Sequence, residues 1–266
     1  MSNNPRDRWS KKWALITGAS AGIGLELAKQ LAAGGANLVL TARRTDRLKN
    51  LADELSSKHR IQVETFTADL VRPDAPQEIF DFTAGKNIEI EFLVNNAGFG
   101  VFGPTCEMEP TRLVEMVEVN CRAVLVMTRL YLPGMIARRH GDIMIVASVA
   151  AFQPVPYLSA YAATKAFDLL FAEGLAEEVR QFGVRVCALC PGSTTTEFQN
   201  VAHQPDRSFR FPETAEKVAR VGLKGMAQGK VTVVSGARNW LMVETERLAP
   251  RRFTASMAAR VMRPTD

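Results

Sequence analysis

Four cysteines in 266 residues (Cys106, Cys121, Cys187, Cys190) are too few and too scattered for a disulfide framework. The chain also lacks any run of about 18 apolar residues, so no membrane span is expected. Its first dozen residues, "MSNNPRDRWSKK", contain no apolar stretch of the kind a secretory signal needs. A cytoplasmic protein is the expectation. Lysine and arginine outnumber the acids by 33 to 28, yet the basic residues form no long block, which argues against a nucleic-acid surface and for a small anionic ligand. With three histidines and no metal-ligand spacing, no metal site is expected. "CALC" (187 to 190) lies in the apolar run "VRVCALC"; residues three apart on a strand point to opposite faces, so its thiols should diverge.

What the sequence does have is a core's worth of apolar residues, 47%, and a length suited to one domain spanning 1–266. Short apolar runs ("WALIT", "ANLVLT", "IQVETFTA", "IEFLVNN", "GDIMIVAS", "VRVCALC", "KVTVVS") alternate with segments of helical spacing ("GIGLELAKQLAAGG", "RRTDRLKNLADELSSK", residues 111 to 139, and "YAATKAFDLLFAEGLAEEVRQFG"). Strand and helix in alternation predict an α/β fold: a doubly wound, Rossmann-type parallel sheet of about seven strands with helices on both faces. The first unit runs from "WALIT" through "GASAGIG" into a helix, placing Gly18, Gly22, Ile23 and Gly24 where a pyrophosphate can approach a helix N-terminus. Alone, such glycines would mark only a tight turn.

Further motifs follow in order: "NNAG" (95 to 98), Asn120, Ser148, "YAATK" (161 to 165) and "PGSTTT" (191 to 196). Over residues 11 to 235 this set resembles the short-chain dehydrogenase/reductase family in its compact form. The resemblance implies an NADP(H)-dependent oxidoreductase with Ser148, Tyr161 and Lys165 as catalytic residues, and Asn120 supporting a proton relay through a water linked to the lysine. The residues argue the same chemistry. Tyr161 and Lys165 lie four apart, on one face of a predicted helix, and an ammonium beside a phenol favours the phenolate, making the tyrosine a usable acid or base. Ser148 follows a predicted strand at the carboxyl edge of the sheet, where its hydroxyl can bind a substrate oxygen. Taken singly, the serine reads as a cap, the asparagine as a local backbone partner and the Tyr/Lys pair as surface decoration.

By the same resemblance Asp69 hydrogen-bonds an adenine, Asn95, Ala97 and Gly98 run along its ribose, and Pro191, Gly192, Thr194 and Thr196 contact the nicotinamide and the pyrophosphate. Asp69 alone could equally cap a following helix. Arg43 stands 19 residues after Gly24, where an acid would bind the ribose 2′-hydroxyl of NAD. A guanidinium there suits a 2′-phosphate, so NADP is the expected cofactor, with Arg44 and Ser20 assisting. Without a cofactor these arginines could simply hold a surface carboxylate such as Asp46.

Phe99, Phe102, Phe152, Phe198, Phe209 and Phe211 populate the segments expected to wall the substrate pocket, which favours an apolar ketone, aldehyde or secondary alcohol. His203 is expected in a lid over that pocket. The arginine-rich helical tail (237 to 266), interrupted by a proline break, could be a partner helix, a lid or a membrane-surface anchor; packing within the protein or an oligomer is expected in preference to membrane contact. Spare apolar residues in the helix after Tyr161 predict a homodimer or homotetramer. A 3-oxoacyl or steroid-like reductase with a narrow substrate, and a non-enzymatic NADPH-binding sensor, are the alternatives.

Overall fold

In the computed structural model, which describes residues 8–198, 202, 211–246 and 248–263, the seven apolar runs form one sheet. Its strands are β1 (Trp13–Thr17), β2 (Asn37–Ala42), β3 (Val63–Thr67), β4 (Ile90–Asn95), β5 (Gly141–Val146), β6 (Val184–Cys190) and β9 (Thr232–Val234). All neighbours are parallel, in the order β3-β2-β1-β4-β5-β6-β9. The chain leaves β1 in one direction for β2 and β3 and then returns to β4 on its other side. That reversal opens a crevice at the carboxyl ends of β1 and β4, where doubly wound sheets bind ligands.

Helices cover both faces because both faces of every central strand are apolar. On one side Ala14, Ile16, Leu38, Leu40, Phe92 and Met144 pack against α1 (Gly22–Ala33), α2 (Thr45–His59) and α7 (Ala215–Ala227). On the other, Leu15, Val39, Leu93, Ile143 and Ile145 meet α3 (Ala75–Gly85), α4 (Pro110–Val117), α5 (Ala123–Ala137) and α6 (Ser159–Val179). Cys187 belongs to the first layer and Cys190 to the second, as strand alternation requires.

The structure departs from the sequence reading in four places. Helix α3 was not anticipated, and neither was α7, whose N-cap Thr214 accepts a hydrogen bond from the Lys217 amide at 3.2 Å. The long helical stretch after residue 110 is broken by a π-helical turn, Glu118–Arg122, between α4 and α5. The basic tail forms two helices, α8 (Ala237–Glu246) and α9 (Arg251–Met262), separated, as its proline break implies, by a segment that includes Pro250. A two-stranded parallel ladder of β7 (Thr194–Thr195) and β8 (Glu213–Thr214) ties the segment after β6 to the start of α7.

At the amino edge of the sheet, Asp142 is fully buried and gathers three donors from distant parts of the chain. Trp9 Nε1 donates to it at 2.7 Å, Arg8 Nε at 2.9 Å, and Arg185 bidentately at 2.8 and 2.9 Å. Trp9 is itself 1% exposed and stacks on Phe92 with ring centroids 4.6 Å apart. This cluster closes the end of the sheet opposite the crevice.

Candidate active site

Where β1 ends, Gly18 and Gly22 take φ values of +68° and +57°, the left-handed region that glycine occupies without steric cost. Gly24 is required for a different reason. A Cβ there would stand 2.4 Å from Asn96 Nδ2 and 2.5 Å from the Gly18 carbonyl, so helix α1 can approach the turn only with hydrogen at that position. Asn96 is the clamp: its Nδ2 donates to the Thr17 carbonyl at 2.8 Å, while Thr17 Oγ1 accepts from the amides of Asn96 and Ala97 at 2.9 Å each. The first turn of α1, beginning after Ala21, has no side-chain cap, so its amides are available to an anion.

From this turn a cleft of ≈ 690 Å³ extends along the carboxyl edge of the sheet. It brings together Gly18, Ser20, Gly22, Ile23, Arg43, Arg44, Asp69, Ala97, Gly98, Ser148, Tyr161, Lys165, Pro191, Gly192, Thr194 and Thr196. Three expected site residues do not line it. Gly24 is packed under the turn, and Asn95 points inward, its amide donating to Thr128 Oγ1 at 3.0 Å. Asn120, in the π-helical turn, is fully buried; its amide binds the backbone of Phe99 in both directions (3.1 and 2.9 Å) and donates to Thr164 Oγ1 at 3.0 Å. The neighbour Asn96, overlooked in the sequence, lines the cleft in place of Asn95.

The arginines converge at the β2 end of the cleft. Arg44 donates through Nε and Nη2 to Ser20 Oγ at 3.2 and 3.1 Å, and through Nη1 to Glu197 at 2.6 Å. Arg47, in the first turn of α2, holds the other oxygen of Glu197 at 2.6 Å. Arg43 is exposed at the cleft edge without a hydrogen-bonding partner among the described residues. The carboxylate that Arg44 holds, together with Arg47, is thus Glu197, not Asp46, and the two guanidinium groups keep its carboxyl below the usual range. Arg47 could have been found from the sequence as the third arginine of "RRTDR"; Glu197, about 150 residues away, left no signal there. Asp69 turns its Oδ1 to the amide of Val71 at 3.1 Å and still borders the cleft.

At the centre, Tyr161 and Lys165 are buried one helical turn apart on α6, with Nζ 5.9 Å from the centroid of the phenol ring. Ser148 Oγ accepts from the amide of Ala150 at 3.1 Å, capping the 3₁₀ turn Val149–Phe152. The cap satisfies the oxygen as an acceptor, and its O–H can still donate. Burial pushes the Tyr161 phenol upward, and the opposing pull of Lys165 and of the Ser148 hydroxyl does not overcome it. The Lys165 ammonium does favour the phenolate, as its spacing in the sequence implied, but burial, which the sequence did not show, outweighs it. Lys165 Nζ donates to the Val146 carbonyl at 2.8 Å and to Asp168 Oδ2 at 2.9 Å. Asp168 was missed, although "KAFD" places it one turn beyond the lysine.

The far end of the cleft is apolar, walled by Phe99, Val155, Leu158, Phe198, Met242 and Met262, so the tail helices close the pocket. Phe102, Phe152 and Phe211 do not reach it; Phe211 is 71% exposed and lies 4.1 Å from the Arg238 guanidinium. Phe209 and His203 fall outside the described residues. Glu246 also borders this end. Its Oε2 is buried without a hydrogen-bond partner, and burial raises the carboxyl to about 7. Among the described residues no helix is long and apolar enough to cross a membrane, and no group of acids, histidines and cysteines is placed to hold a metal.

Comparison with known proteins agrees with this geometry. The family model described as "short chain dehydrogenase" matches residues 12–206. The very-long-chain 3-oxoacyl-CoA reductase of Bos taurus is 34% identical over 227 residues, 83% of this chain and 72% of that protein. Among solved structures, a short-chain dehydrogenase from Sphingobium yanoikuyae in complex with NADPH superposes with a TM-score of 0.81 at 29% identity, covering 89% of this chain and 94% of that one. The bulky-bulky ketone specific alcohol dehydrogenase from Comamonas testosteroni gives 0.77 at 26% identity, with 89% and 92% covered.

Proposed function

Because the chain belongs to the short chain dehydrogenase family, and is therefore an oxidoreductase that works with a nicotinamide cofactor, we propose that it is an NADPH-dependent reductase of bulky, apolar ketones or aldehydes. The observation that carries this reading is the meeting of Ser148, Tyr161 and Lys165 on the wall of one cleft whose far end is apolar.

The residues present fit the cofactor. The glycine turn lets the start of α1 pack closely against the end of β1, the first amides of α1 are uncapped, and Arg43, Arg44 and Ser20 form a donor set suited to a 2′-phosphate. When bound, the dihydronicotinamide supplies the hydride that the protein cannot. Ser148 donates its O–H to the substrate carbonyl oxygen and orients it. Tyr161 passes its phenolic proton to the same oxygen as negative charge develops there, and the resulting phenolate, facing the Lys165 ammonium, regains a proton from solvent. The reverse sequence oxidises a secondary alcohol.

A second reading is a 3-oxoacyl thioester as substrate. It is favoured by the names of the curated relatives and by Met257 and Val261, which border the cleft while remaining 44% and 48% exposed, an apolar exit for a long chain. We place the protein in the cytoplasm, as a homo-oligomer assembled through α5 and α6. Leu125 and Leu170 are exposed there, and Phe167 stacks on Phe171 at 5.7 Å. Purified protein assayed with NADPH against bulky ketones and long-chain 3-oxoacyl thioesters separates the two readings; no turnover of any carbonyl substrate would leave the NADPH-binding sensor.

A further inference from the structure

Lys165 does not face Tyr161 as an isolated cation. One turn further along α6, the Asp168 side chain is 1% exposed and the Lys165 side chain 6%, with 2.9 Å between Oδ2 and Nζ. The second carboxylate oxygen, Oδ1, is buried with no hydrogen-bond partner. A buried ion pair with an unsatisfied oxygen costs desolvation that its Coulomb attraction repays poorly, so fold stability is a weak reason for it. Its position offers a better one. The titratable groups around it are Tyr161 and Lys165 on the same helix, Cys121 from the π-helical turn and Cys190 from β6, with Glu173 further along α6. Both thiols are held protonated, Cys121 pushed up to about 11 and Cys190 higher, chiefly by burial. Asp168 is thus the acidic group set directly against the ammonium; burial pushes its carboxyl upward, and the Lys165 ammonium at 2.9 Å pulls it back toward the carboxylate.

We propose that Asp168 is a positioning residue for the reductase chemistry: it fixes the Lys165 ammonium between itself and the Val146 carbonyl and offsets its charge, keeping Tyr161 in the proton-donating form. The active site is thereby biased toward carbonyl reduction and away from alcohol oxidation. This rests on the reductase reading of the same cleft. The sign is unambiguous. A negative charge nearby raises the proton affinity of both Tyr161 and Lys165, so its removal lowers the first apparent pKa of the coupled pair, whichever member loses the proton.

The test compares wild type with Asp168→Asn and Asp168→Ser, both neutral, and Asp168→Glu, which keeps the charge. Two quantities are read: the pH profile of NADPH-dependent carbonyl reduction, and the tyrosinate absorbance titration taken as a difference against Tyr161→Phe. With only three tyrosines in the chain, that difference isolates Tyr161. In a folded neutral variant the alkaline limb and the Tyr161 midpoint should both move about one pH unit or more to lower pH, while Asp168→Glu stays nearer to wild type. An unmoved midpoint in either neutral variant overturns the proposal. If the wild type reduces no carbonyl, the reading of the site fails, yet the tyrosinate midpoint, which needs no substrate, still decides the role of Asp168.

Discussion

The Arg44 guanidinium reaches the Glu197 carboxylate at 2.6 Å, joining the end of β2 to the segment that follows β6. A 2′-phosphate bound at Arg44 must share that guanidinium with an anion already in place. Glu197→Gln should therefore tighten NADPH binding more than NADH binding, as read from the ratio of the two dissociation constants at matched salt. Arg43→Asp should move the same ratio the other way by about 1.5 kcal/mol or more, roughly tenfold, because a charge-assisted pair is replaced by two like charges. A ratio that ignores both substitutions would dismiss the arginines as a phosphate site.

Tyr161→Phe removes one oxygen and keeps the ring, whose centroid lies 5.3 Å from that of Phe198. The cleft wall should hold its shape. We expect NADPH affinity near wild type and turnover reduced on the order of 10²-fold or more, measured under saturating cofactor. A variant retaining most of its activity would show that the proton comes from elsewhere.

Glu246 makes stability depend on pH. Its folded-state carboxyl titrates at about 7 against an ordinary value of 4.5. Below the ordinary value both states are protonated and nothing is lost; as pH rises toward 7 the unfolded chain ionises first and stability declines. Glu246→Gln should leave Tm unchanged in acid and raise it progressively from about pH 4.5 to pH 7, then hold the gain. The side chain is only half-buried, so solvent screening limits the gain. Parallel Tm curves across that window would mean that Glu246 ionises freely in the fold.

Asp142→Ala would leave Arg8, Arg185 and the Trp9 indole without their shared acceptor. Loss of one partner from a buried ion pair costs on the order of 3 kcal/mol or more, readable by denaturant unfolding. Catalysis in the surviving folded fraction should be little affected, since the cluster lies at the far end of the sheet from the cleft. A stability change below about 1 kcal/mol would mean that the cluster contributes no more to stability than a surface ion pair does.

The sheet was legible because its strands are buried on both faces and read as apolar runs between helical segments. Helix α3 was not, since "APQEIFDFTAG" is short and has a proline, Pro76, in its first turn that reads as a break. Tyr161, Lys165 and Ser148 could be located because their spacing and their places at element ends reflect chemistry within or beside one helix. Contacts between distant segments were less accessible. Glu197 meets Arg44 and Arg47 only through the path of the loop, and Met242 and Met262 enter the pocket only because the tail folds back over it. Phe99 and Phe198 do line the cleft, whereas Phe102, Phe152 and Phe211 do not, for the same reason: Phe211 belongs to the expected pocket segment but faces outward.

Cys187 and Cys190 lie on one strand yet belong to opposite helical layers, and burial pushes both thiols well above the ordinary range. Neither can react while its own layer stays closed. With Cys106 and Cys121 changed to serine, the two remaining sulfurs become separate clocks for the two halves of the molecule. Their alkylation rates under mildly destabilising conditions would time the departure of α7 from one face of β6 independently of the departure of α6 from the other.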